Sequence, residues 1–117
     1  MTEKQFQASL VMEFSQIYPE RNGLLFAVNN EANSDKQAMA LKALGVWKGA
    51  SDLIYCYNQF TAIELKIPGA KHSRNHILSQ YDWGCGIALH GGNYYIATNR
   101  DSFFSIIHGD IDSKVYT

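Results

Sequence analysis

Proline and cysteine are both scarce in this chain, at two residues each among 117, and neither charge sign dominates. With two prolines and no low-complexity tract there is no linker, and no internal repeat is visible. One domain spanning residues 1–117 is therefore expected, with 46% hydrophobic residues enough for one core and no second. Cys56 and Cys85 do not form a metal-ligand spacing, and reduced, buried thiols account for them most simply. No apolar run has membrane length and no signal peptide is legible, so a cytoplasmic protein without a membrane partner is the default. Ten basic residues against eleven acidic ones give a net charge of −1. That balance excludes a strongly basic, non-specific nucleic-acid binder, so any DNA surface must be a local patch.

What the chain does have is concentrated between Gly45 and Lys66. Phe60-Thr61-Ala62-Ile63-Glu64-Leu65-Lys66-Ile67 alternates as a strand, with Thr61, Ile63, Leu65 and Ile67 on one face. Phe60, Ala62, Glu64 and Lys66 share the other, which separates Glu64 from Lys66 by about 6 to 7 Å. Asp52-Leu53-Ile54-Tyr55-Cys56-Tyr57 reads as the preceding strand, with Asn58 and Gln59 as turn residues. A two-residue turn would pair Tyr57 with Phe60 and send Asp52 to the face opposite Glu64. A three-residue loop pairs Cys56 with Phe60, Ile54 with Ala62 and Asp52 with Glu64; this odd-length loop, or a bulge of equal effect, is expected.

Facing carboxylates repel and destabilise a sheet unless a cation lies between them. Two hard oxygen ligands suit Mg²⁺ or Mn²⁺, and Lys66 beside the ion could orient a water or stabilise charge growing on a phosphate. An ordinary solvated hairpin face would carry a Glu-x-Lys triplet equally well. Asp52 at the facing position is what raises the pattern above that alternative.

Around the hairpin the sequence predicts helices and two further strands. Thr2 to Tyr18 has helical spacing, with Phe6, Leu10 and Ile17 on one stripe, and Pro19 ends it. Glu13 falls within that stripe, where a carboxylate is costly unless paired or bound to a cation. Leu24 to Asn29 reads as a short buried strand. Ser34 with Gln37 forms a capping-box pattern opening a helix to Leu44, closed by Gly45, with Ala38, Leu41 and Leu44 as its apolar face. Ser73 can cap a helix from about Arg74 towards Leu89, weakened by Gly84 and Gly86. Tyr94 to Thr98 is a last strand, and Asp101 or Ser102 is expected to open a closing helix that packs Phe103, Phe104, Ile106 and Ile107 on the sheet. Tyr94, Tyr95, Phe103 and Phe104 read as core or dimer contacts in preference to a base-stacking platform, and residues 110–117 carry no signal.

Several cations are candidates for phosphate. Lys48 is carried by its loop towards Asp52; Lys71 and Arg74, with His72 and His76, form a modest basic cluster, or equally a solvated helix start. A zinc site at His72 and His76 lacks a third ligand and the glutamate of an H-E-x-x-H motif.

Gly45-Val46-Trp47-Lys48-Gly49-Ala50-Ser51-Asp52-Leu53, followed by Ile63-Glu64-Leu65-Lys66, resembles the signature of VRR-NUC domains within the PD-(D/E)XK nuclease superfamily, with Ser51-Asp52 where the superfamily has Pro-Asp. The resemblance spans most of the chain and implies an α/β restriction-endonuclease-like core, a four-stranded mixed sheet flanked by helices with the hairpin at its centre. It implies a metal-dependent DNA endonuclease and, for small stand-alone members, a Holliday-junction resolvase acting as a homodimer on branched DNA. The family carries a metal-associated glutamate on its first helix, which here would be Glu13, joining Asp52, Glu64 and the Leu65 carbonyl around one or two Mg²⁺ or Mn²⁺ ions. Asn29-Asn30-Glu31 resembles the family's polar segment after the first strand, or is plain turn chemistry. Gln80 and Trp83 resemble the family's Q-x-x-W pattern, in which the glutamine is associated with the active site. The usual serine-to-glutamine spacing would instead select His76; both stay open, with Gln80 preferred. In this reading Lys66 positions or activates water and Gln80 orients Lys66 or the scissile phosphate. A nuclease for flaps, nicks or plain duplex, and a non-catalytic DNA-binding module that keeps the nuclease fold, are the alternatives.

Overall fold

The computed structural model describes residues 1–28, 33–69, 72 and 74–109. Its order is α1 (Glu3–Ile17), a short 3-10 turn (Pro19–Arg21), β1 (Leu25–Ala27), α2 (Asp35–Ala43), β2 (Leu53–Tyr57), β3 (Gln59–Leu65), α3 (Arg74–Leu89), β4 (Asn93–Ala97) and α4 (Arg100–His108). The strands form one mixed sheet in the order β1-β2-β3-β4. β1, β2 and β3 are antiparallel neighbours, and β4 joins β3 in parallel. The β2–β3 hairpin is therefore the centre of the sheet, as the sequence predicts.

Register is the feature on which the site depends. Ile54 pairs with Ala62, Cys56 with Phe60 and Tyr57 with Gln59. The chain reverses at Asn58, whose φ of 67° is the left-handed conformation that asparagine tolerates better than most residues. This is the odd-length turn expected from the sequence, and continuing its register brings Asp52 opposite Glu64.

The two faces of the sheet are packed unequally. Towards α1 and α4, Phe6, Leu10, Phe14, Leu53, Tyr55, Ile63, Leu65 and the four apolar residues of α4 form the main core. Each fully buried Leu, Ile or Phe there contributes about 1.5–3 kcal/mol. Towards α3 the cluster is small: Ile54, Ala62 and Tyr94, with Val28, Trp83 and Ile96 at its margin.

Local sequence signals explain most helix ends. Thr2 and Gln5 form a complete capping box at α1. At α2, Ser34 accepts from the Gln37 N–H at 3.1 Å, but the Gln37 side chain turns to the Asn33 N–H and leaves the box incomplete. At α4 the cap is Asn99, with Ser102 completing the box from the third position, so the expected start at Asp101 or Ser102 is corrected by two or three residues.

Four further expectations are corrected. The α1 stripe is Phe6, Leu10 and Phe14, while Ile17 is exposed, because Pro19 turns the chain away before that last turn can pack. β1 is an edge strand with Phe26 and Ala27 exposed, not a buried one. α2 has no fully buried side chain, Leu41 is only half-buried and Leu44 is 81% exposed, so the apolar face read from Ala38, Leu41 and Leu44 joins no core cluster among the described residues. Cys56 is exposed and Cys85 half-buried; both are free thiols, as expected, but not buried ones. The Asn29-Asn30-Glu31 segment, Lys71, the Ser73 cap and residues 110–117 lie outside the described residues.

α3 runs unbroken through Gly84 and Gly86, and only one of these glycines is needed there. A Cβ on Gly84 would lie 2.6 Å from the Tyr94 ring, whereas one on Gly86 would meet nothing within 4 Å. Gly84→Ala should therefore cost about 1–3 kcal/mol through overpacking. Gly86→Ala should stabilise by roughly 1 kcal/mol through helix propensity. Urea denaturation of both variants measures this, and equal effects would contradict the packing described.

Candidate active site

Three side chains from the hairpin and one from α3 meet on the α3 face of the sheet. Ser51 is fully buried, and its hydroxyl donates to the Leu53 carbonyl at 3.0 Å, tying the backbone across Asp52. The Asp52 carbonyl accepts from the Val28 N–H at 2.9 Å. Its side-chain Oδ2 accepts from the Leu65 N–H at 2.8 Å. Asp52 is thus fixed from both neighbouring strands. The preceding loop sits tightly on α3: a Cβ on Gly49, whose φ is 95°, would stand 2.7 Å from the Ser79 carbonyl oxygen.

Glu64 is 2% exposed. Its Oε2 accepts from Gln80 Nε2 at 2.5 Å and lies 3.3 Å from Lys66 Nζ. Lys66 Nζ in turn donates to Gln80 Oε1 at 2.7 Å. The expected grouping of Asp52, Glu64, Lys66 and Gln80 is present, and Gln80 rather than His76 bridges the acid and the lysine. His76 stands behind it, with its Nε2 2.9 Å from Gln80 Nε2.

Burial raises the Glu64 carboxyl to about 8, helped by the negative charge of Asp52 and opposed by Lys66. Asp52 is also raised, chiefly by burial, against the pull of the Leu65 N–H. The remaining oxygen of Glu64, Oε1, is buried without a hydrogen-bond partner among the described residues. A buried anionic oxygen left bare is costly, so this atom calls for a proton or a cation.

That is the test of fit for a divalent metal. Among the described residues no three His, Cys, Asp or Glu side chains gather closely enough to hold one. Mg²⁺ commonly takes one or two carboxylates and completes its shell with water and phosphate oxygens, so the Asp52–Glu64 pair fits such an ion without a third acid.

The structure does not bring Glu13 to this pair. Its carboxylate is held by Arg100 on α4, with Arg100 Nε 2.8 Å from Oε2 and 3.0 Å from Oε1, and Arg100 lowers its pKa. The cost foreseen for an acid near the α1 stripe is met by this ion pair. The α1 acid on the site side is Glu3. Its Oε2 accepts from the Ile67 N–H at 3.4 Å and lies 3.2 Å from His72 Nε2, and its charge acts on Asp52. Glu3 escaped sequence reading because an acid in the first turn of a helix is already explained by the helix dipole.

Lys48 is exposed, with its charge felt at His76, and Arg74 is exposed at the start of α3. A cavity of about 490 Å³ opens at the other end of the hairpin, between Tyr18, Arg21, Tyr55, Tyr57 and His108. None of the four central residues lines it, and the hydrogen-bonded acid–lysine cluster is the better guide to chemistry.

No family model matches the chain, and no curated protein does. Among solved structures it is similar to a "VRR_NUC domain protein", with a TM-score of 0.70 and 20% sequence identity over 95% of this chain and 88% of that one. The α/β fold with four helices and a four-stranded mixed sheet is thus the fold of that VRR_NUC structure.

The raised Glu64 carboxyl has a consequence for stability. The folded, metal-free protein keeps a proton that the unfolded chain releases above about pH 4.5. Stability should therefore fall as pH rises from about 4.5 to about 8, then level. Thermal melts in EDTA across that window should show the decline, Glu64→Gln should remove most of it, and Mg²⁺ or Mn²⁺ should raise Tm more at pH 8 than at pH 6. A wild-type curve flat through the window would contradict the site electrostatics.

Proposed function

We propose that this chain is a divalent-metal-dependent endodeoxyribonuclease that hydrolyses phosphodiester bonds in branched DNA. The observation that carries the proposal is Glu64: a buried carboxylate opposite Asp52, with Lys66 and Gln80 on one oxygen and, among the described residues, no hydrogen-bond partner on the other. The similarity in fold to a VRR_NUC domain protein supports the same reading.

Asp52, Glu64 and the Leu65 carbonyl would hold Mg²⁺ or Mn²⁺, with Glu3 adding negative charge beside Asp52 from outside the ligand set. Bound there, the ion would supply Lewis-acid stabilisation and a more acidic water. Lys66 presents an ammonium to the charge that develops on the phosphate, and Gln80 holds that ammonium beside Glu64. Lys48 and Arg74, with Lys71 as the sequence suggests, would contact flanking phosphates; a net charge of −1 limits any DNA surface to a local patch.

The finer part of the proposal is a homodimer resolving four-way junctions. Two copies related by a twofold axis would place two sites on paired strands. α2 and its following loop leave Met39, Leu44 and Trp47 exposed, a surface that a second copy would cover.

Cleavage of a four-way junction, a flap, a nicked duplex and an intact duplex should be compared in Mg²⁺, Mn²⁺ and EDTA. Paired symmetric cuts confined to the junction and dependent on metal are expected. Lys66→Ala should lower the rate at least about 100-fold. Glu3→Gln should raise the metal concentration needed by about tenfold or more, and Glu13→Gln should leave it unchanged. Equal cleavage of all substrates would replace the resolvase with a general nuclease. Binding without cutting in either metal would leave a DNA-binding module.

A further inference from the structure

The orientation of the Gln80 amide is dictated by its neighbours. A lysine ammonium has donors only, so the atom facing Lys66 Nζ at 2.7 Å must be the amide oxygen. The amide nitrogen then points to Glu64 Oε2 at 2.5 Å and to His76 Nε2 at 2.9 Å. Its two N–H groups have two acceptors, and His76 Nε2 must be one of them. The imidazole is therefore neutral, with its proton on Nδ1.

We infer that His76 is a positioning residue for the proposed active site. Through its acceptor nitrogen it locks the Gln80 amide so that one end holds Lys66, the other holds Glu64 Oε2, and Glu64 Oε1 is left to face a cation. His76 is suited to this because it sits one helical turn before Gln80 on α3 and its ring stacks on His72, with centroids 5.5 Å apart and planes 18° from parallel. Burial, with Lys66 and His72 next, lowers its pKa and keeps the acceptor form; Asp52 opposes and Lys48 assists. Without that acceptor, the second N–H of Gln80 loses its partner, the amide is held by Lys66 and Glu64 alone, and both of those contacts become less rigid. Only the catalytic consequence rests on the nuclease reading; the hydrogen-bond assignment stands apart from it.

Two variants separate the acceptor from the ring. His76→Phe keeps an aromatic ring against His72 and removes the acceptor, whereas His76→Gln replaces the ring and restores an acceptor oxygen. In metal-free protein with ¹⁵N-labelled glutamine, the Gln80 side-chain N–H pair, assigned through Gln80→Ala, should be slow to exchange in wild type. His76→Phe should make it exchange faster and shift one of its two protons, and His76→Gln should restore both. In a Mn²⁺ titration of junction cleavage, His76→Phe should raise the half-activating concentration about tenfold with little change at saturation, and His76→Gln should reverse it. An unchanged Gln80 signal in His76→Phe, or a His76→Gln variant as impaired as His76→Phe in both readouts, would overturn the inference. The expected amide changes in a protein that cuts no DNA would support the His76–Gln80 lock while rejecting the nuclease reading.

Discussion

The buried carboxylate of Glu64, set against Asp52, is the interaction to which the rest of the site is fitted. An anion this well shielded from water needs compensation, and a protein can supply a proton, a positive side chain or a metal. Lys66 and Gln80 supply part of it, but both act on Oε2. Among the described residues Oε1 has no hydrogen-bond partner, and burial with Asp52 alongside pushes the group towards holding a proton. A purely structural buried acid would be better served by donors on both oxygens. The asymmetry is what a site for an added positive charge requires.

Whether that charge pair exists at all is decided at the hairpin tip. With Tyr57 opposite Gln59 and Asn58 in the left-handed region, the strands are offset so that Asp52 and Glu64 face each other. A turn one residue different would send Asp52 to the α1–α4 face, into the main hydrophobic core. The fixing of Asp52 by the Leu65 N–H, the Ser51 hydroxyl on Leu53 and the close seating of Gly49 on Ser79 all follow from that register.

This much was legible in the sequence because strand alternation, turn length and carboxylate position are local properties. The central hairpin, the existence of a last strand after α3 and the apolar face of α4 could be read the same way. What failed was whatever needed a partner distant in sequence. Glu13 and Glu3 both lie on α1, and choosing between them requires knowing that Arg100 approaches one and the end of β3 the other. The apolar residues of α2 have the right spacing for a core face, yet spacing cannot say whether a core lies beneath them, and among the described residues none of them is fully buried. The start of α4 was misplaced because Asn99, Asp101 and Ser102 are all good capping residues, and the backbone bends at the first of them.

The unequal faces of the sheet explain how such a site is tolerated. On the α1–α4 side the core includes Phe6, Leu10, Phe14, Phe103, Phe104, Ile106 and Ile107, and the Glu13–Arg100 pair links the two helices at its edge. On the α3 side the buried apolar cluster among the described residues is Ile54, Ala62 and Tyr94, with Val28, Trp83 and Ile96 at its margin, and the space beside it goes to a glutamate, a lysine and a glutamine. Folding free energy is thus supplied mainly by one face, which leaves the other free to carry these polar groups. Gly84 shows how tight the arrangement is: only a residue without a side chain lets α3 approach Tyr94 closely enough for Gln80, one turn earlier, to reach Glu64 and Lys66. Close helix packing and the hydrogen bonds of the site are therefore one constraint, and a substitution that lifts α3 from the sheet would loosen the acid–lysine pair without touching either residue.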